Sequence, residues 1–142
     1  MDVCAIQRPL DTPNQIRIVL ESEAVLGILA LVDTGKFELI ASDALIYETE
    51  QNPLPVRQEH ARAVLSKAKS IVRLSNVIQS RAAQLVESGF KQLDALHLAF
   101  PEAGQADYFC TCDDRILRRA KETEMLRLKV VSMLEMVKEI EE

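Results

Sequence analysis

The 142-residue chain reads as one α/β domain with a central, mostly parallel sheet. Three observations predict this. Short apolar runs at Lys36–Ala41, Ile71–Leu74, Tyr108–Thr111 and Leu128–Ser132 alternate with longer stretches of helical periodicity, and strands separated by helices pair in parallel through crossovers. Acids cluster around one of those runs: Asp94 lies near the start of the helix before Tyr108, and Asp113 and Asp114 follow Thr111. Those are the places where an open α/β sheet builds a ligand site. A hydrophobic content of 48%, carried by Leu, Ile, Val and Ala with only 4% aromatics, supplies one core over residues 1–142.

Taken in order, Met1–Leu10 is too short to hold a full strand before the first acid, Asp2. Arg8-Pro9 and Thr12-Pro13 make the next segment loop-like, because a residue before proline is pushed out of helical space. From Asn14, Ile18, Val25, Leu29 and Val32 fall on one helical face, and Gly35 ends the helix. Ser42 or Asp43 caps a helix to about Gln51, stopped by Asn52-Pro53. A helix from about Val56 to Ala68 follows, then one from Ser75 to Ser88 closed by Gly89. The Asp94 helix contains Pro101, which should kink it or end it early. A basic helix spans Asp113 to about Glu122, and a polar tail helix finishes the chain.

Composition narrows the function. A net charge of −5 argues against broad, non-specific binding to nucleic acid or anionic membranes, while leaving room for a local basic rim. Cys4, Cys110 and Cys112 lack CxxC spacing and read as small buried hydrophobes of a reducing compartment. The amino terminus lacks a signal-peptide pattern, and the longest apolar run, Ala24–Val32, is too short to span a membrane. A soluble, cytoplasmic protein is expected.

The chemistry rests on carboxylates. Asp2, Glu48, Asp94, Asp113 and Asp114 stand at chain positions that a parallel sheet can bring to one edge. Carboxylates are hard oxygen ligands suited to Mg²⁺ or Mn²⁺. A metal so held acidifies water and neutralises charge on a phosphate. Glu50, two residues after Glu48, must face elsewhere on the helix and looks solvated. His97, one turn beyond Asp94, is read as a supporting or packing residue before a metal ligand. With two histidines and no Gly-x-Ser-x-Gly, no nucleophilic triad is available, and no glycine loop cradles phosphate. Arg8, Lys91, Arg115, Arg118 and Arg119 are candidate phosphate contacts by proximity to the acids.

These motifs carry a family resemblance. Asp2-Val3-Cys4 with Arg8-Pro9, Ser42 followed by Glu48, Asp94–Ala99 (DALHLA) and Thr111–Asp114 (TCDD) resemble the PIN domain, specifically the small VapC-like toxins, over essentially the whole chain. The resemblance implies a three-layer α/β/α sandwich and a metal-dependent endoribonuclease leaving 5′-phosphate and 3′-hydroxyl ends. It implies an acidic quartet of Asp2, Glu48, Asp94 and Asp113, with Thr111 beside the last acid and Asp114 able to assist. It also implies a homodimer and an inhibitory antitoxin protein. Two departures stand out: only Met1 precedes Asp2, so the first strand is expected to be truncated, and Pro101 interrupts the Asp94 helix. The rival expectation is a catalytically impaired PIN-like protein that binds an antitoxin or another protein. A phosphatase or receiver fold fits worse, since Cys4 stands where the former needs its second acid.

Overall fold

Helices begin where the sequence offers their unpaired N–H groups a partner. Ser42 Oγ accepts from Leu45 N at 3.1 Å and Ser75 Oγ from Ile78 N at 3.4 Å. In the computed structural model, which describes residues 1–141, the order is α1 (Val3–Gln7), a 3₁₀ turn (Arg8–Leu10), α2 (Ile16–Asp33), β1 (Ile40–Ser42), α3 (Asp43–Glu50) and α4 (Pro55–Leu65). Then come β2 (Ser70–Val72), α5 (Asn76–Glu87), α6 (Gln92–Ala103), β3 (Tyr108–Thr111), α7 (Asp114–Lys121), β4 (Lys129–Ser132) and α8 (Met133–Glu141).

The central parallel sheet of an α/β/α sandwich is not present. Helix dominates, and the described strands form two separate parallel pairs, β1 with β2 and β3 with β4. Each strand is only three or four residues long. Asp2 N donates to Cys110 O of β3 at 3.3 Å, but Asp2 is also the N-cap of α1, so the backbone turns into a helix after one rung. No extended segment among the described residues lies between β1 and β3, which instead share the lining of a cleft of about 540 Å³ with Met1, Ile28 and Met136. The segment expected to be a truncated strand and a loop is thus mostly helical.

The paired strands still separate two cores, because strand side chains alternate. Cys110, Cys112 and Val131 join Ile6, Val25, Ile28 and Met136 in one cluster. Phe109, Val130 and Leu128 join Leu85, Leu98 and Phe100 in the other. Cys110 and Cys112 are buried in the first of these clusters as expected, whereas Cys4, also expected to be buried, is exposed. Pro101 does not break α6 early; it sits in the last turn, two residues before the helix ends at Ala103. α2 begins after Gln15, which makes no side-chain capping bond. Among the described residues, no helix is long and apolar enough to cross a membrane.

Candidate functional site

Three of the expected residues are linked by hydrogen bonds. Asp2 is 7% exposed, and its Oδ1 accepts from Ala5 N at 3.2 Å and from Cys4 Sγ at 3.1 Å. Its Oδ2 accepts a short hydrogen bond from the hydroxyl of Thr111, a fully buried residue at the end of β3. Thr111 Oγ1 in turn accepts from Asp113 N at 3.0 Å. Asp113 caps α7, with Oδ1 accepting from Arg115 N at 2.8 Å and from Ile116 N at 3.4 Å. One buried hydroxyl therefore ties the amino terminus to the turn that presents Asp113. The Cys4 thiol is pushed up, by burial of its sulfur and then by the Asp2 charge.

Asp94 stands in the first turn of α6, half-buried. Its carboxyl is raised above the ordinary range by burial and then by the negative charge of Asp113, while Arg115, His97 and Lys91 pull it back. The negative charge of Asp113 thus disfavours the ionised form of Asp94. Among the described residues, no hydrogen bond is made to the Asp94 carboxylate.

Glu48 is brought to the same helix by another route. Its Oε1 lies 2.8 Å from His97 Nε2, one turn beyond Asp94. His97 is buried and faces Glu48 from α6. Glu50 does face away, bonding exposed Arg62. Asp114 also points elsewhere: Arg17 of α2 grips both its oxygens at 2.8 Å and holds its carboxyl below the usual range.

The candidate cations divide. Arg8 is held by Asp11 at 2.9 Å and Glu21 at 3.4 Å and does not line the cleft at Asp94. Lys91 and Arg115 line a cleft of about 210 Å³ together with Arg118, Arg119, Asp94 and Gly89. Two contributors escaped the sequence reading. Arg17 looked like a polar residue on a helix face, yet it fixes Asp114 and also donates to Cys112 O at 3.2 Å. Gly89 looked like a helix stop, yet it also forms part of the cleft. Neither carries a motif, and only the fold brings their partners near.

Among the described residues, no three His, Cys, Asp or Glu side chains form a group that could hold a metal ion. Mg²⁺ needs no such cage, since one or two carboxylates with waters and substrate phosphates suffice. Asp94 and Asp113 fit that pattern by their donor type and mutual repulsion. Asp2 fits less well, because both its oxygens already accept hydrogen bonds. No protein-family model matches the chain, and no curated protein matches it.

Proposed function

We propose that the protein is a metal-dependent endoribonuclease of the PIN type, acting in the cytoplasm as the toxin of a toxin–antitoxin pair. The observation that carries the reading is the partly buried Asp94, repelled by Asp113 and bordered by Lys91, Arg115, Arg118 and Arg119. Acids beside a cationic wall suit a phosphodiester: the acids hold the ion and the cations hold the flanking charge. Mg²⁺ or Mn²⁺ held by Asp94 and Asp113 would supply positive charge to the phosphate and acidify a water. Thr111 positions Asp113 through its backbone N–H. Glu48 and His97 orient one another beside Asp94, as partners around metal ligands do. A homodimer and a bound antitoxin protein accompany this reading through the resemblance to VapC-like toxins.

The test is cleavage of mixed structured and single-stranded RNAs by the purified chain, with Mg²⁺ or Mn²⁺, with chelator, and with Asp94→Asn in parallel. Metal-dependent cutting that disappears in both controls is expected. Undiminished cutting by the variant would sink the assignment. A second reading, a binding module without catalysis, draws on one observation: the oxygens of Asp2 are engaged by Thr111, Cys4 and Ala5. Folded protein that cuts no RNA under any metal favours it.

A further inference from the structure

Beyond the two acids, the cleft beside Asp94 has a built end. Gly89 adopts φ +110, a conformation that side-chain-bearing residues rarely adopt. The guanidinium of Arg119 lies over it: a Cβ at residue 89 would stand 3.1 Å from Arg119 Cζ and Nη1. Glu122 fixes the same guanidinium from the other side, with Nη1 to Oε2 at 3.0 Å. Lys91 and Arg118 complete the wall and make no salt bridge among the described residues. The cleft's one ring, Phe90, is 4% exposed and offers no face for stacking a base.

We infer that this end of the cleft seats a phosphate group of single-stranded RNA, separate from the phosphate at Asp94, and that Gly89 is a positioning residue for Arg119. The inference rests on the ribonuclease reading for its choice of RNA, but the seat is made of residues other than the acid pair. Guanidinium forks match phosphate oxygens bidentately, and a lysine adds a point charge. Without an exposed aromatic, the wall reads backbone and not base, so binding is sequence-neutral. Arg119 packs over Gly89 and pairs with Glu122, so a phosphate would take the place of the Glu122 carboxylate on that guanidinium.

The test is binding measured in chelator, so that cleavage plays no part. Short oligoribonucleotides with 5′-phosphate, 3′-phosphate or hydroxyl ends are titrated into the full chain by fluorescence anisotropy, with pentaglutamate as an acidic-peptide control. Arg118→Ala/Arg119→Ala is expected to weaken oligonucleotide binding about tenfold or more. The slope of log affinity against log salt should flatten by roughly 0.7 for each phosphate no longer neutralised. Preference for one phosphorylated end identifies a terminal phosphate in the seat; equal binding of all three identifies an internal one.

Gly89→Ala should weaken binding in the wild-type background and add little once Arg119 is Ala, which separates positioning of Arg119 from general damage. Where Gly89→Ala fails to fold, Arg119→Lys, which keeps the charge without the fork, should still lose affinity. Unchanged binding in the double variant overturns the inference, and so does pentaglutamate binding as tightly as RNA. Phosphate binding without metal-dependent cleavage would remove the nuclease and keep the seat; cleavage with indifferent Arg118 and Arg119 would do the reverse.

Discussion

Thr111→Val tests the buried hydroxyl that connects Asp2 to Asp113. Valine keeps the shape of a fully buried side chain and removes both of these hydrogen bonds. The Asp2 carboxylate would lose a donor inside the protein, a charged hydrogen bond contributing about 1.5–3 kcal/mol. The partly buried Asp113 N–H would lose its acceptor, costing about 1 kcal/mol more. A total of roughly 3 kcal/mol lowers the melting temperature of a chain this long by roughly 10 °C. Urea denaturation of Thr111→Val, Asp2→Ala and the double variant gives the coupling directly. It should exceed roughly 1 kcal/mol, because both substitutions remove the same bond. A loss below about 1 kcal/mol, or additive effects within about 0.5 kcal/mol, would refute the linkage.

Asp94 predicts a pH dependence of known sign. Its folded-state proton is held more tightly than in the unfolded chain, where an aspartate loses it near 3.8. Stability is therefore lost as pH rises from that value through the raised folded one, and at neutral pH the ionised group is destabilising. Asp94→Asn should remove that slope in thermal melts and raise stability at neutral pH, while Mg²⁺ should stabilise the parent and not the variant. Glu102 is 1% exposed in its side chain and binds Arg81 at 2.6 Å and Arg127 N at 2.8 Å; Glu102→Ala should cost about 3–5 kcal/mol in chemical denaturation, by leaving a buried guanidinium unpaired. Replacing both partners, as Arg81→Met/Glu102→Leu, should cost much less. Asp114→Asn should leave Mg²⁺ affinity within about twofold by calorimetry, because Arg17 and not the acid pair engages that carboxylate.

Local chemistry was the legible part of the sequence. Ser42 and Ser75 cap their helices, Gly35 and Gly89 take positive φ after theirs, Tyr108–Thr111 is a strand as read, and the run read as Leu128–Ser132 forms one over Lys129–Ser132. The placements of Asp94 in the first turn of a helix, of Thr111 at a strand end and of Asp113 as a helix cap were legible too, since helix starts and strand ends are identifiable from pattern alone. The single sheet was not. Alternation of strands and helices specifies parallel pairing but not that every pair joins its neighbour, which depends on a segment between β1 and β3. Partners distant in sequence, such as Arg17 with Asp114, leave no trace in local pattern either.

The distribution of charge reconciles an acidic chain with an anionic substrate. A net charge of −5 would repel RNA if spread evenly, but much of the basic charge away from the cleft is matched. Arg8 faces Glu21, Arg57 faces Asp11, Arg62 faces Glu50, Arg73 faces Asp43 and Arg81 faces Glu102. At the cleft Arg119 pairs with Glu122 and Arg115 lies 3.5 Å from Asp113, but Lys91 and Arg118 make no salt bridge among the described residues, so cations outnumber acids along the lining. Charges farther than a Debye length of about 8 Å are largely screened at physiological salt, so an approaching phosphate responds to this local set. A divalent ion on Asp94 and Asp113 would shift that balance further toward positive. Oligonucleotide binding should accordingly strengthen when Mg²⁺ is added to the parent protein, although added salt alone weakens such binding. In Asp94→Asn/Asp113→Asn, Mg²⁺ should act only as salt and weaken it. The same response in both proteins would mean that the acids do not hold the ion, whatever the cations do.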